Sequence, residues 1–469
     1  MKGIIFDMDG VLTDSSSIHE WAFRETLRPY GIEVNYGRIA GMRTLDAIAM
    51  LLSENDIHEA EPERLAATKS AAARRRMREE NPVVPGAFDL VERLAAKFPI
   101  ALASSGSRES VDAFLELNCA RPLFQAVLSG GDIKAAKPSP DIYLEAARRL
   151  GISPQDCLVV EDSISGAQSA TAAGAEVTTV TARLDSLRRL LEYTVTASDV
   201  PEADEIRRFA SGPRHREQWT AIIPAAGRGT RLGFDQPKIL YPVAGRTILE
   251  WLVRLLEPVC ARVIVVASPE GAPSISRHLN QLLPGQGEVA VQAEPRGMAD
   301  AIQSALPRLG TAHALIVWGD QAALKPESLD VGARLHENAA PLATVPTVMR
   351  DLPYIHFERD SNNRVIRVLQ AREGDTMPAR GESDCGVFFF RSIALRRLLA
   401  ELQREGAGVG RQTGEFNFLP VLPLAARLPG SLLTPRIMTE EESIGVNSRQ
   451  DAEILAGVLR ARGAGIAGA

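Results

Sequence analysis

Cysteine is scarce in this sequence. Its 469 residues hold four, Cys119, Cys157, Cys260 and Cys385, far apart and without metal-type spacing. That argues against a disulfide framework and for thiols kept reduced, as in a cytoplasmic protein. Long apolar runs are missing too. The opening MKGIIFDMDG turns polar after Phe6, too soon for the core of a secretory signal. No stretch approaches the roughly 18 apolar residues of a membrane span. Nor does positive charge dominate: the net charge is −6, and the one compact basic run, Arg74–Arg76, reads as the solvated face of a helix. Without a basic stripe, nucleic acid is not an expected partner. Internal repeats and low-complexity tracts are absent as well. Oligomeric state stays open, a homo-oligomer included.

What is present is globular: 45% hydrophobic and 24% charged residues, in a chain long enough for two or three cores. Short apolar runs recur between helical stretches, the rhythm of buried strands in an α/β fold. In the first half these are Gly3–Phe6, Ile100–Ala103 and Cys157–Val160, with a weaker run at Glu176–Thr181. The charged, Ala-rich stretch 15–81 has no good strand and predicts a helical cap over a doubly wound core. Near Asp199 the apolar periodicity lapses, and 201–218 reads as a linker or a linker with a short helix. At Thr220 the rhythm restarts with TAIIP, then Arg262–Ala267, Ala314–Trp318, Val365–Leu369 and Gly386–Phe390. The expectation is two α/β domains, 1–200 and 219–469, the second Rossmann-like with a mixed sheet.

Asp7 and Asp9 follow the first strand, where ligands of open α/β sheets bind. A carboxylate can attack phosphorus, provided that positive charge offsets the phosphate. The parts follow in order. Ser104 ends the strand IALA and offers a hydroxyl, with the amides of Ser105 and Gly106 behind it. Lys137 precedes a helix. Glu161 and Asp162 end the strand CLVV and, with Asp7, suit Mg²⁺. Asp9 is the candidate acid and base, and repulsion between the aspartates favours one protonated acid beside one ionised nucleophile. Each piece alone is also a common turn or helix boundary; their joint order points to a site.

The motifs DMDGVLTDS (7–15), ALASSGS (101–107), KPSPDIY (137–143) and VVEDSISG (159–166) resemble those of the haloacid dehalogenase-like hydrolases, β-phosphoglucomutase-like subgroup. The resemblance implies Asp7 as nucleophile, Asp9 as acid/base, Ser104 and Lys137 as phosphate ligands, and Asp7, Asp9 (through its main-chain carbonyl) and Asp162 at Mg²⁺, with Glu161 beside them. His19 lies where β-phosphoglucomutase has a histidine of its catalytic cycle, while GMRTLDAI only approximates the substrate loop of the cap.

The second half has a different loop. Ala225-Ala226-Gly227-Arg228-Gly229-Thr230-Arg231-Leu232-Gly233 misses the dinucleotide fingerprint by one residue and lacks the lysine of a P-loop. It remains a loop whose amides can approach an anion, and Arg231 and Lys238 add positive charge suited to a triphosphate. Gln292 offers an amide to a base edge. Asp320 ends a strand, as a Mg²⁺ ligand would, and Asn447 either joins it or caps the next helix. Nucleotidyl transfer needs positioning and charge neutralisation and no protein nucleophile.

The stretches AAGRGTRLG (225–233), PKILYPVAGRTIL (237–249), QAEPRGMADAI (292–302), WGD (318–320) and GVN (445–447) resemble sugar-phosphate nucleotidyltransferases, above all N-acetylglucosamine-1-phosphate uridyltransferase. That implies phosphate binding by the Ala226, Gly227 and Gly229 loop with Arg231 and Lys238, base contacts by Gln292 and Gly297, and Mg²⁺ at Asp320 and Asn447. The hexapeptide repeats of that family's acetyltransferase module are missing. Ile355, Gln370 and Asp384 replace the glycine, glutamate and asparagine usual around the sugar, which implies another sugar or polyol phosphate. Together the resemblances imply a bifunctional Mg²⁺-dependent enzyme. A sugar- or polyol-phosphate phosphatase is joined to a transferase making an NDP-sugar or NDP-polyol from UTP or CTP for cell-envelope polysaccharide. The alternatives are a phosphomutase supplying the sugar 1-phosphate, or one half kept as an inactive sensor.

Overall fold

A computed structural model describes residues 1–40, 42–195, 197–227 and 232–466. The chain divides into two compact units, Met1–Thr194 and Val195–Ala469. No helix among the described residues is long and apolar enough to cross a membrane.

The first unit is a five-stranded, all-parallel sheet in the order Ala126–Leu128, Ile100–Ala103, Gly3–Phe6, Cys157–Glu161, Glu176–Thr179. The first strand of the sequence is therefore central. Its carboxyl end lies between the ends of the strands that lead to Ser104 and Glu161, so residues about 100 and 150 positions apart in sequence become neighbours. The strand Ala126–Leu128, three residues long, escapes the sequence pattern. The expected insertion forms the helices Ser16–Leu27, Thr44–Glu54 and Pro62–Glu80 with the short turn Tyr36–Ile39. Pro62 opens the long helix at a position that needs no N–H donor, and Asn81 closes it in the left-handed region, φ +40°. The cap has its own core of Phe23, Leu27, Ile48, Leu52 and their neighbours.

In the second unit a seven-stranded mixed sheet runs Gly287–Val291, Arg262–Ala267, Trp219–Pro224, His313–Val317, Val387–Arg391, Ala343–Thr344, Leu432–Leu433. The first four strands are parallel, and Val387–Arg391 is antiparallel to both its neighbours. Alternate residues feed two cores: Ala221, Ile223, Val263, Val265, Leu315 and Val317 one face, Ile222, Ile264, Val266, Ala314 and Ile316 the other. Burial on both faces explains why these strands read as unbroken apolar runs. Two small ribbons, Thr347–Asp351 with Arg380–Asp384 and Ile355–Arg359 with Val365–Gln370, accompany the sheet.

The segment read as a linker with or without a short helix does hold a short helix, and it belongs to the second unit. Ala203–Ala210 is a helix, and its Phe209 packs with Ala197, Leu335, Ala339 and Leu433. Arg214 then pairs with Asp330 at 2.7 Å.

Beneath it, Trp219 stacks on His313 at 4.7 Å, and His336 meets both rings edge-on. Burial lowers the His313 imidazolium to about 4, with Arg391 adding to the effect, and lowers His336 well below its ordinary value. Both rings are thus neutral when folded, while the unfolded chain protonates them below about pH 6.5. Stability from this cluster is complete above that pH and is lost as pH falls towards about 4. Between pH 7.5 and 5 the second unit should lose about 2 kcal/mol through His313, with His336 adding a loss of the same sign. Urea titrations followed by tryptophan fluorescence measure this, and His313→Phe should flatten the dependence.

Candidate active sites

The first site starts at the end of the central strand. Lys137, nearly dehydrated, donates to Asp7 Oδ1 and Glu161 Oε1, both at 2.6 Å. Tyr143 donates to the same Glu161 oxygen at 2.7 Å. The other oxygen, Oε2, accepts from the amides of Asp162 and Ser163 and from the Ser163 hydroxyl, all at 2.9 Å. Ser163 also caps the helix Ile164–Ala172, accepting from Gly166 N at 3.0 Å. Glu161 is therefore fully satisfied. It fixes the lysine and the helix start, and stays close enough to Asp7 and Asp162 to share a cation with them. Two glycines make room for these carboxylates. A Cβ on Gly10, at φ +79°, would sit 1.8 Å from Asp162 Oδ2, and one on Gly166 would sit 1.7 Å from Glu161 Oε1.

Asp9 belongs to a second chain of contacts. It accepts from the Ser15 hydroxyl and meets His19 Nε2 at 3.2 Å. The Nδ1 of His19 faces Lys69 Nζ at 2.8 Å, and that ammonium lies 4.3 Å over the Phe23 ring. Sequence reading flagged His19 and missed Lys69, which the Ala-rich pattern of its helix disguises as surface. The Ser104 hydroxyl lies 3.5 Å from Asp9 and accepts from Gly106 N at 3.0 Å. Ser105, Gly106, Asp7, Asp9, Lys137 and Asp162 share a cavity of about 100 Å³ with the cap residues His19, Tyr36 and Lys69.

Burial, hydrogen bonds and neighbouring charges set the two aspartates apart. Burial drives the Asp7 carboxyl well above the ordinary range; Lys137 pulls it back, while Glu161, Asp9 and Asp162 raise it further. For Asp9 burial also pushes up, but His19, Ser15 and Lys69 outweigh it and hold the carboxyl at about 2. Desolvation, then Glu161 and Asp9, lifts Asp162 to about 7. Burial lowers Lys69 to about 8 against the pull of Asp9. Asp9 is thus held ionised, and a divalent cation beside Asp7 would offset the burial and repulsion that raise its carboxyl. Carboxylate oxygens of Asp7, Glu161 and Asp162 lie within 4.8 Å of one another. Two buried carboxylates and the more exposed Asp162 so close together fit a divalent cation.

The second site gathers residues still farther apart. Lys238 donates to Asp320 Oδ2 at 2.8 Å and to Asn447 Oδ1 at 2.9 Å, across 209 positions for the latter. Both oxygens bind one ammonium, so they also suit a metal ion. The N-cap alternative for Asn447 falls to Ser448, whose hydroxyl accepts from Asp451 N at 3.2 Å. Gln292 gives its NH₂ to Gly297 O at 3.0 Å and Asp300 at 2.8 Å, leaving its amide oxygen without a partner among the described residues. Ala226, Gly227, Gln292, Gly297, Asp320 and Asn447 line one cavity of about 820 Å³. Arg231 and Gly229 lie outside the described residues. Arg449 is a neighbour that the sequence reading did not name: it donates to Leu232 O at 3.0 Å, tying the last helix to the end of the glycine-rich loop.

Gly166→Ala should displace the Glu161 carboxylate, cost about 1–3 kcal/mol in overpacking, and cut phosphate release while sparing the second site. Urea denaturation and paired assays of phosphate and pyrophosphate release check this.

Residues 1–174 match the haloacid dehalogenase-like hydrolase family, and residues 221–407 the MobA-like NTP transferase domain. The first half is 31% identical over 180 residues to the fructose-1-phosphate phosphatase YqaB of Escherichia coli K12, covering 38% of this chain and 95% of that protein. The second is 29% identical over 249 residues to the bifunctional protein GlmU of Pelotomaculum thermopropionicum, covering 52% of each chain. The chain thus spans about half the length of that relative. A solved β-phosphoglucomutase from Clostridium difficile aligns with 40% of this chain and 88% of its own, at 25% identity and a TM-score of 0.36. This chain is an enzyme of the haloacid dehalogenase-like hydrolase family, joined to a nucleotidyltransferase domain of the MobA-like type.

Proposed function

We propose that the first unit hydrolyses a sugar or polyol phosphate and that the second makes an NDP-sugar or NDP-polyol from UTP or CTP, for cell-envelope polysaccharide. One observation carries this reading: each unit draws a phosphate-matched charge set from distant positions, Lys137 reaching Asp7 across 130 residues and Lys238 reaching Asn447 across 209.

In the first unit an oxygen of the Asp7 carboxylate, which Lys137 and a bound cation would keep ionised, attacks phosphorus, the ester P–O bond breaks, and the leaving oxygen takes a proton from Asp9. Asp9 then takes a proton from water, whose oxygen displaces Asp7 and frees inorganic phosphate. Lys137, Ser104 and the Ser105 and Gly106 amides hold the phosphate oxygens. Asp9 sits at about 2, so its proton must be supplied on binding; His19, bonded between it and Lys69, is the route. Mg²⁺ on Asp7, Asp162 and the Asp9 carbonyl would neutralise charge on the phosphoryl group.

In the second unit an oxygen of the acceptor phosphate attacks the α-phosphorus, and pyrophosphate leaves. Lys238 and Arg231 offset the charge, and Asp320 with Asn447 would hold Mg²⁺. The free oxygen of Gln292 accepts from either the uracil imide or the cytosine amine.

The His19–Lys69 link favours a second reading. Both residues belong to the cap, so the proton on Asp9 is tied to it, which also suits returning the phosphoryl group to another hydroxyl. A mutase gives isomerised product and little free phosphate.

Asp7→Asn should lower Mg²⁺-dependent phosphate release about a thousandfold and leave pyrophosphate release intact. Asp320→Ala should do the reverse, by about a hundredfold. Loss of both activities in either variant would overturn the assignment of one chemistry to each unit.

A further inference from the structure

The cavity of the second unit has a wall that the transfer itself does not use. Its catalytic part is Asp320 and Asn447 with Lys238 between them, and its base part is Gln292 and Gly297. One further part of the wall comes from the two antiparallel ribbons and the turn between them, which supply Arg350, Tyr354, Ile355, Gln370, Ser383 and Asp384.

Two arginines stand among the described residues of this lining. Arg372 is committed, forming a forked pair with Glu415 at 2.6 and 3.0 Å. Arg350 is half-buried, yet no hydrogen bond or ion pair joins its guanidinium to any described residue. Asp384, on the adjacent strand, feels its charge, but its Oδ2 accepts from Gly386 N at 2.8 Å instead. A cation drawn partly out of water needs an anion to offset the lost hydration. A guanidinium presents a planar fork of donors that matches a carboxylate or a phosphate in two-point fashion. Gln370, Ser383 and the Tyr354 hydroxyl, on the same wall, suit the hydroxyls of a carbohydrate skeleton.

We propose that the acceptor carries a second anionic group, a carboxylate or a phosphate, in addition to the phosphate that attacks, and that Arg350 binds it. This rests on the transferase reading above. The attacking phosphate is served by Lys238 and the metal ligands, so a second anion requires its own cation. If that group is a phosphate ester, it is also of the class that the first unit hydrolyses.

The test uses the full chain with Mg²⁺ and each of the four common nucleoside triphosphates, reading pyrophosphate release. Acceptors are matched by skeleton: the 1-phosphates of glucose, galactose and mannose, the corresponding uronic acid 1-phosphates, and the 1,6-bisphosphates. On the skeleton that turns over, the anionic acceptor should exceed its neutral counterpart by about tenfold or more in kcat/KM. Arg350→Gln should bring that ratio close to one, mainly through KM, and Arg350→Lys should keep part of it. Preference for the uronate or the bisphosphate identifies the group. Turnover of neutral acceptors as fast as anionic ones would overturn the inference and leave the transferase reading intact. So would a uniform loss on all acceptors in Arg350→Gln. No Asp320-dependent release with any pair would overturn the transferase reading, and this inference with it.

Discussion

The first unit is organised around one buried ammonium. Lys137 is held between Asp7 and Glu161 at 2.6 Å each, where water cannot share the charge. Removing one partner from such a group costs about 3–5 kcal/mol, so the surrounding sequence is constrained to keep all three. Tyr143 and Ser163 complete the valence of Glu161, and Gly10 and Gly166 leave the volume that the carboxylates fill. The same contacts that satisfy Lys137 aim Asp7 into the cavity. Stability and reactivity here are two readings of one hydrogen-bond network.

The second unit meets a similar demand by other means. Transfer to an α-phosphorus needs no covalent carrier, so there is no buried nucleophile to protect. Its lysine is only partly buried and is shared between one carboxylate and one amide oxygen. The cavity is wide and is walled by ribbons outside the main sheet. Specificity can therefore change along those ribbons without disturbing the catalytic end.

Much of this was legible in the sequence. Strand ends that carry Asp7, Ser104, Glu161 and Asp320 follow unbroken apolar runs, and burial on both sheet faces makes such runs conspicuous. Short or half-exposed strands were not legible: Ala126–Leu128 has three residues, and Gly287–Val291 opens on glycine and glutamate. The segment 201–218 read as a linker because ADEIRRFA offers only Ile206 and Phe209 as apolar anchors, too few for a period. The strong acidity of Asp9 was not legible for a different reason. Sequence shows the neighbours of Asp9 along the chain, whereas its acidity is set by His19 and Lys69, brought to it through the cap.

The docked helix before the second sheet fixes where this chain can be cut. Asp199 bonds Gly430 and Thr434, and Phe209 covers Leu335 and Leu433. A fragment opening at the first strand of that sheet would leave these apolar side chains bare and Thr434 without its main-chain partner. The natural unit of excision, and of any genetic exchange of the two halves, therefore begins at Val195 rather than at Trp219.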